Sequence, residues 1–473
     1  LRHGERAGVQ VVILVADGAR PDTLRAALDD GTLPALAALR EEGGLHEVST
    51  VFPSVTGPAY TPFVMGRHPA TVGLPGLRWY DRARQQLSWP HARSYVGVEY
   101  RRLATDLDPA APTLWELERD HLAALPVIGR GVHRSREVGR GVAFAAQAIA
   151  THVRGHVRGW LDIDRSVGER FCARWAAEQP RFALAAFTGP DKASHAVGHA
   201  RAMVREALGH VDHAAARIRA AAEQRGTWAA TQLWVVSDHG HEPVHTHDDL
   251  ARAVAGLGYA TAAHPVSWPR RPEVAVMVSG NAMAQVYVAL SRRVRTGWEA
   301  LAGEWEPLVA ALLARPSVDL LLLPHADPHT VTLRSARGSA TVRTDGAYWW
   351  YTPHDADPLG VGTLAALSAS DAHRAMAHSA YPDALVQITA IAACVRSGDV
   401  IVSAAAGFDF RAQWEPIPHV SSHGSLRRAH MQVPLLVNHP VRRVPLRTVD
   451  IGATAAECLS IQPPLRCDGV SWR

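Results

Sequence analysis

The 473-residue chain contains a single lysine, Lys192, and the other 48 of its 49 basic residues are arginines. A skew this complete reads as coding bias, and it draws attention to the one place where lysine remains. Cysteine is scarce as well. Cys172, Cys394, Cys458 and Cys467 form no CxxC pair, which excludes a zinc ribbon or disulfide scaffold and suggests small buried thiols in a reducing compartment. A cytoplasmic location is therefore expected. The opening LRHGERAGVQ has neither an initiator methionine nor an apolar signal core, and a signal removed ahead of residue 1 would leave an exported form open. No apolar run approaches the ~18 residues of a membrane span, so no membrane partner is expected. The formal net charge is only +4 with a pI near 9.0, and the basic residues are scattered, so no nucleic-acid partner is implied. The chain carries no internal repeat, no low-complexity tract and no signature of oligomeric state.

What is present is apolar sequence in short, regular pieces. With 47% hydrophobic and 20% charged residues the chain can bury a large core, and its length fits one large α/β domain with insertions or two domains. Four apolar runs each end in a polar cluster: VVILVADG (11–18), FALAAFTGPD (182–191), QLWVVSDHG (232–240) and VPLLVN (433–438). Runs of this length and composition read as strands buried on both faces of a parallel sheet. Helical patterns lie between them, as in 23–43 and 202–226. The alternation predicts a doubly wound, mostly parallel α/β sheet with helices on both faces. Residues 265–375 differ: AQVYVAL, VDLLLL and TVTLRSARGSATVRTDGAYWWYTP alternate around glycine turns like antiparallel hairpins. They are expected to form a smaller inserted α+β subdomain, β-rich, with 1–264 and 376–473 as the core.

Ligands of doubly wound sheets bind beyond the carboxyl ends of the strands. Asp17 follows the first run, Asp191 the second, and Asp238 with His239 the third. One such aspartate is ordinarily a helix cap. Three together would repel one another or hold a cation. In GPDKASHAVGH, Asp191 and His195 are four apart, so on a helix they share a face and can offer two ligands to one metal. Carboxylate and imidazole suit zinc, and the 26 histidines fit a metalloprotein as well as they fit bias. The stretch FPSVTGPAYT (52–61) holds Ser54, Thr56 and Thr61 among two prolines and a glycine. Local chemistry reads it as a turn before a helix.

In order along the chain, VADGARPD, FPSVTGPAYTPFVMGRHPATVG, GPDKASHAVGH, VVSDHG and HVSSHGS resemble the alkaline phosphatase superfamily, and within it the nucleotide pyrophosphatase and type I phosphodiesterase branch. The resemblance spans residue 11 to about 440 and implies an alkaline phosphatase-like fold with two Zn2+ ions. It implies Asp17, Asp238 and His239 as ligands of the metal that also holds the nucleophile, and Thr56 as that nucleophile. Asp191, His195 and His423 are implied as ligands of the second metal. A threonine hydroxyl is a poor nucleophile unless activated, and metal coordination is one way to activate it. Two metals about 4 Å apart can stabilise both oxygens of an in-line displacement. The expected reaction is hydrolysis of a small-molecule phosphate ester, a diester or nucleotide pyrophosphate, through a phosphothreonine, with net retention at phosphorus.

The pattern departs from the branch in two places. An asparagine that contacts the phosphoryl group three residues after the nucleophile is replaced here by Ala59, so another donor is needed. Lys192 is the candidate, against a reading as a surface charge at a helix start, and Tyr60 is a second. His241, His245 and His247 follow the main ligands, and a polar loop in a histidine-rich chain is favoured over an extra metal site. His199 and His419 are candidates to contact phosphate or a ligand carboxylate. Trp79, Tyr80, Trp349, Trp350 and Tyr351 are candidates to stack on an aromatic leaving group. A sulfatase would need C-x-P-x-R where T-G-P-A-Y stands: Thr56 cannot yield formylglycine, and Tyr60 takes the arginine's place. A phosphoglycerate mutase of this superfamily would use serine and a different insert. A phosphomonoesterase, a phosphonate hydrolase and, more remotely, a non-catalytic metal-binding protein remain as alternatives.

Overall fold

The alternating faces of the first strand set the layers of the molecule. Every residue of Gln10–Ala16 is buried. Val11, Ile13 and Val15 join one apolar cluster, while Val12, Leu14 and Ala16 join another on the opposite face. A strand apolar at every position is satisfied only when both faces are covered. In the computed structural model, which describes residues 8–84, 92–95, 102–263, 271–411, 417–462 and 465–473, this strand lies at the centre of a seven-stranded sheet. The order is Gly44–Ser49, Gln432–Val437, Thr231–Val236, Gln10–Ala16, Phe182–Phe187, His121–Ala124, Glu137–Val138. The last five strands run parallel.

The fourth apolar run departs from the parallel expectation. Gln432–Val437 is antiparallel to Thr231–Val236, with Leu435 opposite Val236, and Gly44–Ser49 is antiparallel to it in turn. The chain reaches this strand from His423, which sits at the carboxyl edge, with the short helix Arg428–Met431 between them. A return to the amino edge needs a crossover of a dozen or more residues. The strand therefore starts where the chain already is and runs back.

Helices cover both faces. Ala202–Gln224 buries Val204, Ala207, Leu208, Val211, Ala214, Ala215, Ile218 and Ala222, steps of three and four that make one apolar stripe. The helical pattern at 23–43 resolves into Pro21–Asp29 and Pro34–Glu42, interrupted at Gly31 with φ +77° and restarted by a proline suited to a first helical turn. Among the described residues no helix is long and apolar enough to cross a membrane.

A second sheet of nine strands supplies the β-rich part. Its order is Thr261–Ala263, Val274–Val278, Met283–Tyr287, Val400–Ala404, Val318–Pro324, Thr330–Ser335, Gly338–Thr344, Tyr348–Pro353, Leu364–Ser368. The expected hairpins are antiparallel, as between Thr330–Ser335, Gly338–Thr344 and Tyr348–Pro353. Val400–Ala404 pairs with Met283–Tyr287 and Val318–Pro324, so the sheet takes a central strand from beyond residue 375. The expected start of the insert at 265 lies outside the described residues. We keep the division into core and insert as a proposal, with that strand threaded back into the insert's sheet.

Arg447 ties the two sheets together. Next to Ser49 at the edge of the first sheet, its guanidinium donates to both oxygens of Asp383 at 2.6 and 2.7 Å. Asp383 immediately precedes the helix Ala384–Ala393, which packs on the second sheet. Burial works to raise the Asp383 carboxyl, and the guanidinium overrides it, holding the group below its ordinary range. Arg447→Ala leaves that carboxylate buried without its partner and is expected to cost about 3–5 kcal/mol at neutral pH, read by urea denaturation. The pair's stabilisation is complete above the unfolded carboxyl's value and is lost as pH falls through the lower folded value. The gap between wild type and variant should therefore narrow in acid. Equal stabilities at neutral pH would show that the pair does not hold the sheets.

Candidate active site

Three adjacent strands deliver three carboxylates to one edge. Asp17 directly follows Gln10–Ala16, Asp238 lies just past Thr231–Val236, and Asp191 sits in the helix Gly189–Val197 that follows Phe182–Phe187. None is more than 2% exposed. The Gly18 and His239 N–H groups donate to Asp238 Oδ1 at 3.2 and 3.1 Å. Burial, reinforced by the charges of Asp238 and Asp191, pushes the Asp17 carboxyl well above its ordinary range. Burial also raises Asp238. At Asp191 burial acts in the same direction but is outweighed by His195 and Lys192, so this carboxyl is held well below its ordinary range. Lys192 Nζ is 2.7 Å from Asp191 Oδ2.

Thr56 faces this edge from the turn before Pro58–Tyr60 and the helix Thr61–Met65, and Gly57 at φ +103° makes the turn. Its Oγ1 lies 3.1 and 3.4 Å from the two Asp17 oxygens and 3.0 Å from His239 Nε2. His239 Nδ1 lies on the Gly240 carbonyl at 3.1 Å. A carbonyl only accepts, so Nδ1 carries the hydrogen in that contact and the Nε2 lone pair is turned to Thr56. Asp17 Oδ1 and Asp238 Oδ2 are 3.4 and 3.5 Å from the same Nε2.

A second group of donors meets at Asp191 Oδ1. His195 Nε2 is 3.2 Å from it, His423 Nε2 3.6 Å and His241 Nε2 2.9 Å. His195 and His423 give their Nδ1 atoms to the Ser421 and Ser54 carbonyls at 2.8 and 3.0 Å. The His239 and His423 rings stack with centroids 3.5 Å apart, so the two groups share a wall. Asp17, Asp238 and His239 form one set, and Asp191, His239, His241 and His423 another, with each set offering donor atoms within 4.8 Å of one another. Asp238 Oδ2 is buried with no hydrogen-bond partner among the described residues. An orphaned carboxylate oxygen among converging imidazole lone pairs is what a divalent cation would satisfy. The cluster can therefore hold metal.

Asp17, Thr56, Asp191, His195, Asp238, His239 and His423 thus meet in one place. His241 corrects the polar-loop expectation. It is fully buried, in space left by Gly18 at φ +71°, where a Cβ would fall 2.9 Å from its ring. The two flanking glycines of DGA and HGH were the available signal. His245 and His247 are exposed, and His247 instead pairs with Asp409 at 2.7 Å. His419 stacks on His195 at 4.0 Å, while His199 is half-buried beside Thr23, which donates to its carbonyl. Ala59 is buried against Val51 and Val449, and Tyr60 is a fully buried core residue whose hydroxyl has no partner among the described residues. The aromatic candidates mostly join cores: Trp79 packs on Tyr95, Tyr80 on Tyr287, and Tyr351 is fully buried. Trp349 donates to Thr389, and Trp350 lies under Arg343. The loop after Tyr80 passes into residues 85–91, outside those described.

Fold and family together define a phosphoric ester hydrolase of the alkaline phosphatase superfamily. The model of the type I phosphodiesterase/nucleotide pyrophosphatase family matches residues 11–317, well over half the chain, and the chain belongs to that family. Solved structures of similar fold include phosphonoacetate hydrolase from Sinorhizobium meliloti in complex with phosphonoformate, at 16% identity and TM-score 0.56 with 96% of each chain covered. Murine ectonucleotide pyrophosphatase/phosphodiesterase 5, an inactive variant in complex with AMP, matches at 13% identity and TM-score 0.55, covering 98% of this chain and 97% of that one. Its human counterpart matches at 13% identity and TM-score 0.55, with 97% of each covered. At these identities the likeness is one of fold.

Because the buried carboxylates need a counter-charge, removing bound cation should destabilise the protein. Chelation is expected to lower the calorimetric Tm and Zn2+ to restore it, the stabilisation reaching about 2.7 kcal/mol at a hundredfold excess over Kd. An unchanged Tm would show that the cluster binds no cation.

Proposed function

We propose that the chain is a dinuclear zinc hydrolase that cleaves phosphodiesters or nucleotide pyrophosphates through a phosphothreonine at Thr56. The observation that carries this reading is the Thr56 hydroxyl, within hydrogen-bond reach of both Asp17 and His239 Nε2 and beside a donor set suited to zinc. Asp17, Asp238, His239 and Thr56 would hold one ion, and Asp191, His195 and His423 the other. When bound, such ions supply Lewis-acid stabilisation of phosphoryl charge. Thr56 Oγ1 attacks phosphorus and a P–O bond to the leaving group breaks, the hydroxyl proton reaching the departing oxygen by way of water. Water then cleaves the bond between phosphorus and Thr56 Oγ1, freeing the phosphate product and regenerating the hydroxyl. Two displacements give net retention.

Lys192 is proposed as a contributor to the same step. Its ion pair with Asp191 supports a role in orienting that carboxylate and in lending positive charge near the phosphoryl group. The substrate is a small phosphate ester, in keeping with the family. The free thiols of Cys172, Cys394, Cys458 and Cys467 support a cytoplasmic site of action. A phosphonate hydrolase is the second reading, favoured by the fold likeness to the phosphonoacetate hydrolase bound to phosphonoformate. A phosphomonoesterase is a third, and a non-catalytic metal-binding protein stands as a remote one.

The test compares wild type with Thr56→Ala on bis-p-nitrophenyl phosphate, p-nitrophenyl phosphate and a phosphonate, with metal content assayed in both. The diester is expected to be turned over fastest, and the variant to keep its metal while losing on the order of 10^3-fold or more in kcat. A variant that remains active would remove Thr56 from the chemistry, and preference for the phosphonate would favour the second reading. Lys192→Ala is expected to lower kcat by roughly 10–100-fold, the usual size of a lost supporting partner. An unchanged kcat would return the residue to a surface charge.

A further inference from the structure

His241 is the feature of this site that the proposed reaction does not use. Its ring is fully buried and lies among those of His195, His423 and His239, at centroid distances of 4.8, 5.2 and 5.7 Å. The Arg20 guanidinium donates to its carbonyl at 2.6 Å, fixing the backbone where the chain enters the Glu242–His247 strand. Gly18 leaves room for the ring that any Cβ would take. Of the three imidazoles that converge on Asp191 Oδ1, it is the nearest.

The hydrogen-bond inventory specifies which nitrogen faces the carboxylate with a lone pair. His195 and His423 place Nδ1 on backbone carbonyls, so their hydrogens are on Nδ1 and their Nε2 lone pairs point inward. His241 Nδ1 faces the Ser421 hydroxyl oxygen at 3.2 Å. That hydroxyl has one hydrogen, and it is directed to the Glu242 carbonyl at 3.0 Å. The Ser421 oxygen is then an acceptor toward His241, whose Nδ1 must donate. This leaves a third lone pair, at His241 Nε2, 2.9 Å from Asp191 Oδ1. Lone pairs meeting a carboxylate at that distance are stable around a shared cation.

Resting on the metal-dependent reading of the site, we propose that His241 is a fourth protein ligand of the ion held by Asp191, His195 and His423. One carboxylate and three imidazoles would make a tetrahedral zinc set, for which His195 Nε2, 3.2 Å from Asp191 Oδ1, has to join Asp191, His241 and His423, whose donor atoms lie within 4.8 Å of one another together with that of His239. The two positions would then differ in kind. The Asp191 position is filled by protein and binds its ion more tightly, while the Asp17, Asp238 and His239 position has only the Thr56 hydroxyl as its remaining protein donor. A substrate oxygen can reach the filled position only by expanding its coordination or displacing His241.

The simplest competing role is that His241 Nε2 carries a hydrogen and merely orients Asp191. A glutamine can take over that donation but is a poor replacement for an imidazole ligand. Metal affinity is measured by competition with a chromophoric chelator for wild type, His241→Ala and His241→Gln, with circular dichroism confirming the fold of each. Both variants are expected to lose more than the roughly 10–100-fold that a lost outer partner costs, and at one of two sites only. Retention of wild-type affinity by His241→Gln overturns the proposal.

Spectra of wild type alone, loaded with a spin-half cadmium isotope and labelled at histidine nitrogen, test the same point without any variant. Three imidazole nitrogens should couple to one cadmium resonance, and coupling from only two, with His241 Nε2 protonated, overturns ligation. A wild type that binds no ion at all removes the metal reading itself, and this inference with it.

Discussion

Asp17, Asp191 and Asp238 are buried at the carboxyl ends of three neighbouring strands, and the charge of each bears on the others. Oxygens of Asp17 and Asp238 come within 4.8 Å, a range at which two like charges cost a few kcal/mol even at an effective dielectric of about 20. Parallel strands of equal polarity make the juxtaposition unavoidable, since each sends its next residue to the same edge. The central strand turns at Gly18 and the Thr231–Val236 strand continues into Ser237 and Asp238. The carboxylates sit where no solvent relieves them. A cation bound there would resolve the conflict, and the buried Asp238 Oδ2 marks where it would be felt.

The second sheet serves the same edge from outside. Asn281, between two of its strands, bridges to His423, and the Ala282 N–H donates to the His423 carbonyl at 3.0 Å. Gly280 presses on both Gly424 and Val55, where its Cβ would fall 2.8 Å from the valine, so the turn carrying Thr56 and the segment carrying His423 are braced by one backbone. Ser421 belongs to a small sheet with Glu242–His247 and Gly407–Asp409, and its carbonyl orients His195. The β-rich part thus shapes the site through backbone carbonyls and glycine contacts rather than by offering a ligand of its own.

That division explains what could be read from sequence. The strands announced themselves because a parallel strand buried on both faces is apolar along its length, as in Val11–Ala16. Asp17, Asp191 and Asp238 were visible because each stands next to such a run. Thr56 was legible only through the order of motifs around it, since its own stretch is an ordinary turn. His241 was obscured because it lies in a run of histidines whose other members, His245 and His247, do face solvent. Its burial depends on Gly18, some 220 residues away, and no local pattern reports that. The antiparallel direction of Gln432–Val437 was hidden for a related reason. Apolar content does not encode polarity, which follows from where the preceding connection leaves the chain. Trp79 and Tyr80 show the same limit, since an aromatic pair that fills a core cannot be told from one that lines a cleft.

The one lysine of the chain bears on how substrate charge is met. Lys192 offsets part of the carboxylate charge through Asp191, so three carboxylates and one ammonium leave two negative charges on the protein side. Two divalent ions in the proposed reading would turn this into an excess of two positive charges. At neutral pH a phosphomonoester, with about two negative charges, would cancel this excess and a phosphodiester, with about one, would leave a single positive charge, while a neutral ester would offset none of it. Selection between diester, monoester and phosphonate then cannot come from net charge alone. It must come from what surrounds the leaving group, and Ala59, whose methyl is committed to packing on Val51 and Val449, takes no part in it. Discrimination is left to groups rimming the Thr56 turn, where Gly280 brings the second sheet against Val55, the residue before Thr56.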